Sequence, residues 1–486
     1  MRLKIVELRS AINATLEQIL LKYISTRGGE SLNLAQLLTR GTADDGGLFV
    51  PEKWPSVSPQ QLSSLLSGEY AEIAGRVLEL FGAESLATDN ITDVIAKAMQ
   101  SFPQPVGPPV TRIEKGLWTL ELMHGPTLAF KDFALAPLAE IIDTTLTHEK
   151  RQATVLCATS GDTGAATVSA FANRDNLRAV VLFPEGGVSE FQRKQMTTTG
   201  ADNVLTLCVK GDFDACQHMV KALYQTDAAK DYGYTAVNSI NMVRILLQTA
   251  YYFRTSGLVK DKTGKASNFI VPTGNFGNVY AAYIAKQLGA PVNQLIVTSN
   301  DNDVLPRLFE SSTMQGSNTV KTISPSMDIQ VSSNFERLLW HIKAGNGNAV
   351  DAAQKSLESN SGYELSDSEM QSLRSDFQAI RCIESDANSA MQYMQTEFNK
   401  TICPHTATGV HAYRTLKQDP GYDEDAETVV VETAHPAKFS AAVEKATGVT
   451  PTVAAHAADL MKNKEVMLPV DASVQSIQTA IDKYFN

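Results

Sequence analysis

The 486-residue chain sets 42 Lys and Arg against 53 Asp and Glu, a net charge of −11, with 43% hydrophobic and 20% charged residues. That length exceeds one hydrophobic core and predicts about two to four domains, and the composition excludes a disordered chain. The acidic balance, without a long run of Lys and Arg, argues against a nucleic-acid partner, and no apolar run approaches the roughly 20 residues that span a bilayer.

Residues 1–21 repeat apolar positions (Leu3, Ile5, Val6, Leu8, Ile12, Leu16, Ile19, Leu20) in an amphipathic helical pattern, and Glu7 and Glu17 argue against a transit peptide. The rest of the first hundred residues reads as helices separated by polar turns, broken by the loop Gly46-Gly47-Leu48-Phe49-Val50-Pro51. The proline-rich stretch from Pro103 to Pro109 marks a boundary.

From about residue 117, short apolar strands alternate with helix-length amphipathic segments, the pattern of a parallel α/β sheet. The strand candidates are Ala153–Ala158, Ala179–Phe183, Val204–Val209, Phe269–Val271, Leu295–Thr298 and Val429–Val431, continuous enough to be buried on both faces. Residues 331–400 carry polar residues and Leu at helical spacing without a strand candidate, and read as a helical insertion. The five cysteines (Cys157, Cys208, Cys216, Cys382, Cys403) are scattered and read as reduced, cytoplasmic thiols; no histidine pair has metal-ligand spacing, so no metal is expected.

Three motifs carry chemistry. Two glycine-rich loops, Thr159-Ser160-Gly161-Asp162-Thr163-Gly164 and Thr273-Gly274-Asn275-Phe276-Gly277-Asn278, each follow a buried-strand candidate and precede a helix. Backbone N–H groups freed at such a helix start bind anions, although either loop alone also serves as a tight turn. Neither matches a nucleotide-binding fingerprint. The third motif, His124-Gly125-Pro126-Thr127-Leu128-Ala129-Phe130-Lys131-Asp132-Phe133, sets one lysine among apolar neighbours. Burial there favours the neutral amine that Schiff-base chemistry requires; the plainer alternative is a snorkelling lysine, or one paired with Asp132.

The His124–Phe133 run resembles the cofactor-lysine motif of threonine synthases, pyridoxal-phosphate enzymes of the tryptophan-synthase-β-like fold (fold type II). Tyr23–Gly28, Asp45–Glu52, both glycine loops, Asn238-Ser239-Ile240-Asn241, Met327–Arg337, Pro404-His405-Thr406-Ala407 and His435–Phe439 follow in the family's order. The likeness covers roughly residues 22 to 486 and points to the longer, fungal and bacterial type.

The resemblance implies two parallel-type α/β domains, with a helical N-terminal region at 1–100. The large cofactor-binding domain is expected at 101–131 and 246–486, with the insertion at 331–400, and a smaller mobile domain at 132–245 that closes over substrate. It implies pyridoxal 5'-phosphate on Lys131, its phosphate on Gly274, Asn275, Phe276, Gly277 and Asn278, and its pyridine nitrogen facing Thr406, with Thr408 as the alternative. Thr159, Ser160, Gly161, Asp162 and Thr163 would hold the substrate carboxylate, although Asp162 itself is better read as a loop-closing Asx turn; Arg244, then Lys438, are the candidates for the substrate phosphate. The implied reaction converts O-phospho-L-homoserine and water to L-threonine and phosphate in a monomer or homodimer. A phospho-lyase yielding 2-oxobutyrate, a serine/threonine dehydratase and a non-catalytic binding protein remain as rivals.

Overall fold

The structure, a computed structural model, describes residues 21–485. The amphipathic helix expected over residues 1–21 lies, but for Leu21, outside the described residues.

Two sheets organise the chain. The larger has the order Phe377–Arg381, Val292–Ser299, Ser267–Pro272, Glu427–Glu432, Leu117–Glu121, Val110–Glu114. All its pairings are parallel except the last, an antiparallel hairpin. The smaller runs Leu468–Asp471, Val204–Lys210, Leu177–Pro184, Ala153–Ala158, Tyr234–Thr235, entirely parallel. Each of the six strand candidates lies inside one of these strands. Their apolar runs are buried because helices cover both faces of each sheet.

The structure departs from the sequence reading in three places. The stretch 331–400 is not strand-free: Phe377–Arg381 forms an edge of the larger sheet, and Gln378, Ile380 and Arg381 stay partly exposed there, so it never shows the run of a buried strand. The N-terminal region is not purely helical, since Tyr23–Ser25, Ser31–Leu32 and Phe49–Pro51 form a three-stranded sheet. Finally, Leu468–Asp471 pairs with Val204–Lys210, and the helix Val474–Phe485 packs beside it, so the chain's end does not stay with the larger sheet as the 246–486 boundary supposes.

Two long helices, Asp132–Glu149 and Met242–Thr263, are buried along most of their length. They join the sheets to the N-terminal helices, so their polar residues face protein rather than water. Both glycine loops sit at the carboxyl ends of parallel strands, where open α/β sheets bind their ligands.

Candidate active site

Beyond Leu117–Glu121 the chain stays tied to the neighbouring strand, with Leu122 N donating to Glu432 O (3.0 Å) and Phe130 N to Thr433 O (2.9 Å). Between these ties it turns at Gly125, where a Cβ would stand 2.6 Å from Asp132 Cβ, so glycine is required. Asp132 does not pair with Lys131. Its carboxylate accepts from Thr127 N (2.8 Å) and Thr127 Oγ1 (2.5 Å), which closes the turn and leaves Lys131 at the start of the helix Asp132–Glu149. Lys131 is only 9% exposed, with Nζ 3.5 Å from Asp162 Oδ2. Burial lowers its pKa, and the charges of Arg244 and Lys438 add to this against the opposing pull of Asp162.

The loop Thr273–Asn278 is held from behind. Gly274 O accepts from Ser332 Oγ (2.6 Å), and Asn275 O accepts from Asn334 N (3.1 Å) and Nδ2 (2.8 Å). A Cβ on Gly274 would lie 2.7 Å from Ser326 O. Phe276 adopts φ +63°, a strained value for a residue with a side chain, stabilised by ring packing on Phe335 (5.3 Å) and Phe377 (5.7 Å). With its carbonyls occupied, the loop turns its N–H groups the other way at the start of the helix Gly277–Gln287. Those of Gly274 through Asn278 have no protein acceptor among the described residues. Asn278 adds a buried Nδ2 that also lacks a partner. A donor-only surface at a helix N-terminus fits a phosphate monoester such as that of pyridoxal phosphate.

The other loop is built differently. Thr159 Oγ1 accepts from Gly161 N (2.9 Å) and Gly164 N (2.8 Å), so the loop is closed by Thr159 and not by an Asx turn at Asp162. Asp162 is instead a buried bridge. Its Oδ1 lies 3.0 Å from Lys438 Nζ and accepts from Gln192 Nε2 (2.9 Å), while Oδ2 accepts from Ser326 Oγ (3.4 Å) and faces Lys131. Burial opposes its ionisation, but Lys438 and Lys131 outweigh that and hold the carboxyl well below its usual range. Ser160, Gly161 and Thr163 lie in the same loop, Ser160 and Thr163 partly exposed.

Lys438 is fully buried and engaged with Thr127 O (2.8 Å), Gln195 Oε1 (2.7 Å) and Asp162. All three ammonium protons therefore have protein acceptors. Arg244 differs. It is 2% exposed, donates from Nη1 to Val237 O (3.0 Å), leaves Nε without a partner, and has no carboxylate partner among the described residues. Burial lowers its pKa to about 10, still high enough to keep the cation.

Thr406 and Thr408 both lie in the first turns of the helix Pro404–Leu416. Thr408 Oγ1 is committed to Thr298 Oγ1 (2.7 Å) and His405 O (2.8 Å), whereas Thr406 Oγ1 meets only Cys403 Sγ (3.4 Å). His405, its pKa lowered by burial to about 4, is neutral and accepts Ser326 N at Nε2 (3.3 Å).

Gln192, Gln195, Ser326 and His405 thus join the site without having been candidates from sequence. Two of these had a legible signal: His405 lies inside the Pro404-His405-Thr406-Ala407 motif, and Ser189-x-x-Gln192 is a capping box whose Oε1 accepts Ser189 N (3.3 Å), freeing Nε2 for Asp162. Among the described residues no cluster of His, Cys, Asp or Glu is arranged to hold a metal ion, and no helix is long and apolar enough to cross a membrane.

Comparison with known proteins gives three family matches in chain order: threonine synthase N terminus over residues 22–99, pyridoxal-phosphate dependent enzyme over 110–359, and threonine synthase, C-terminal over 406–481. The threonine synthase of Pseudomonas aeruginosa is 36% identical over 469 residues, covering 96% of this chain and 99% of its own. Among solved structures, the pyridoxal-phosphate-bound threonine synthase of Brucella melitensis superposes with a TM-score of 0.90 at 37% identity, covering 96% of this chain and 99% of that one. The yeast enzyme gives 0.88 at 32% identity, with 96% and 98% covered.

Proposed function

We propose, from the premise that the chain belongs to the threonine synthase family of pyridoxal-phosphate enzymes, that it converts O-phospho-L-homoserine and water to L-threonine and phosphate. The observation that carries this reading is a buried lysine, Lys131, whose amine burial drives toward the neutral form. It lies against Asp162 of one glycine loop, and Ser326 links that loop to the other: Ser326 Oγ meets Asp162, and Ser326 O packs on Gly274.

The cofactor, when bound, supplies the electron sink that stabilises carbanions next to the substrate nitrogen. Lys131 Nζ would hold the cofactor through its aldehyde and, as a buried amine favouring the neutral form, would take and return protons beside the reacting carbons. The N–H groups of Gly274, Asn275, Phe276, Gly277 and Asn278 would hold the cofactor phosphate. Of the two threonines, Thr406 has the hydroxyl with the weaker protein contacts and would be the partner of the pyridine nitrogen. A hydroxyl there does not protonate the ring as a carboxylic acid does, which restrains the sink and disfavours transamination. Ser160, Thr163 and the N–H groups at the start of Asp162–Phe171 receive the substrate carboxylate, with Thr159 and Gly161 shaping the loop and Asp162 tying it to the lysines.

Arg244 rather than Lys438 meets the substrate phosphate. A buried guanidinium with a free N–H and no carboxylate partner has binding capacity to spare, whereas Lys438 is saturated. The five buried free thiols suit a reducing, cytoplasmic setting.

The purified protein should show the visible absorption of lysine-bound cofactor, and adding O-phosphohomoserine should release threonine and phosphate in equal amounts. Lys131→Ala should remove that absorption and cut threonine formation by about a thousandfold or more. Release of 2-oxobutyrate in place of threonine, or full turnover by the lysine variant, would overturn the reading.

A further inference from the structure

Asn278 occupies the first turn of the helix Gly277–Gln287, and its Oδ1 accepts two phenol protons, from Tyr251 (2.5 Å) and Tyr252 (2.9 Å). Both tyrosines are fully buried on the helix Met242–Thr263, and burial pushes both phenols well above their usual pKa, so both stay protonated donors. A primary amide can present either its oxygen or its nitrogen to a neighbour, and a rotation of half a turn exchanges the two. Two donors converging on one side fix the oxygen there. Nδ2 is then the amide's remaining polar group, buried and without a partner among the described residues. It stands in the same turn as the N–H groups of Gly277 and Asn278, which have no acceptor among the described residues either.

We infer that Tyr251 and Tyr252 are positioning residues for the cofactor phosphate. They lock the Asn278 amide so that the start of this helix offers only donors. Without the two hydroxyls the amide is free to turn its oxygen toward the anion, replacing an attraction with a repulsion, and the first helical turn loses its tie to Met242–Thr263. Tyr251 also has Gln248 Oε1 at 3.2 Å as a second acceptor for its proton. The hydroxyl of Tyr252 has no such alternative among the described residues, so its loss alone already loosens the lock.

This inference rests on the reading that the Gly274–Asn278 loop holds the phosphate. The test measures dissociation constants of apoprotein for pyridoxal phosphate and for pyridoxal, which lacks the phosphate, in the native protein, Tyr252→Phe and Tyr251→Phe/Tyr252→Phe. Both substitutions keep the rings and their packing. The ratio of the two constants isolates the phosphate from the lysine linkage, and a general loss of structure weakens both ligands alike.

The ratio should fall about threefold in Tyr252→Phe and about tenfold or more in the double variant, with pyridoxal affinity unchanged. A native-like ratio in the single variant overturns the inference even if the double variant does not fold. If the native protein itself does not prefer pyridoxal phosphate to pyridoxal, the reading of the loop falls and the inference with it.

Discussion

The two glycine loops look alike in sequence, each a strand running into glycines and then a helix, yet the structure holds them by opposite means. Thr273–Asn278 is fixed by neutral hydrogen bonds to its carbonyls and by the packing of Phe276, all from the larger sheet and residues 326–335. Thr159–Gly164 belongs to the smaller sheet and depends on charge. Asp162 reaches Lys131 and Lys438, and Gln195 on the neighbouring helix reaches Thr127 O (2.8 Å). A loop held by close packing is rigid and suits a resident cofactor. One held across two sheets by ion pairs is positioned by contacts that can be exchanged, which suits a substrate that must enter and leave.

That contrast is broken most severely at Asp162. Asp162→Asn leaves Lys438 buried without its counter-ion, and should destabilise the protein by about 3–5 kcal/mol in denaturant titrations at neutral pH. Because the Asp162 carboxyl is held below its usual range, its contribution is present above about pH 4 and is lost as pH falls further, so native and variant stabilities should converge in acid. Parallel curves throughout would show that the charge is immaterial.

Gly274→Ala probes the packed loop. The added Cβ meets the Ser326 backbone carbonyl, and the resulting shift should weaken pyridoxal-phosphate binding about a hundredfold and cost about 1–3 kcal/mol of global stability. Native-like cofactor affinity in a variant destabilised by that much would show that the shape of this loop does not govern the site.

The smallest effect tests whether charge elsewhere in the larger sheet behaves like that around Asp162. Lys400 lies 2.7 Å from Glu121 Oε1 and 2.9 Å from Glu432 Oε1, and one ammonium cannot neutralise two carboxylates. Despite partial burial, His124 and Lys400 hold Glu121 at about 2. Burial pushes Glu432 up to about 7. A raised carboxyl pKa favours the fold below its unfolded value near 4.5, and that contribution is lost as pH rises through 7. Glu432→Gln should therefore flatten the fall in stability between about pH 5 and about pH 8, by on the order of 1 kcal/mol. An unchanged slope would exclude Glu432 as its source.

Much of this protein was legible before folding is considered. The buried strands announce themselves because burial on both faces demands continuous apolar runs, and the loops Thr159–Gly164 and Thr273–Asn278 because two glycine-rich strand-to-helix turns recur in one chain, where either alone could be an ordinary tight turn. Lys131 stood out through the family likeness of the His124–Phe133 run, since its apolar neighbours alone equally suit a snorkelling lysine. Edge strands such as Phe377–Arg381 and the hairpin strand Val110–Glu114 stayed hidden, since a half-exposed strand of mixed polarity looks like any irregular segment.

What the sequence by itself determined was the kind of chemistry: the residue types, their order and the local turns that make an amine and two donor-rich loops. Only the tertiary structure decided the pairings. Whether Asp162 faces Lys131, whether Lys438 is free or saturated, and which atom of Asn278 is left over depend on side chains tens to hundreds of residues apart. Local propensity carries no record of them, because ion pairs and buried hydrogen bonds are set by which surfaces meet when the sheets assemble.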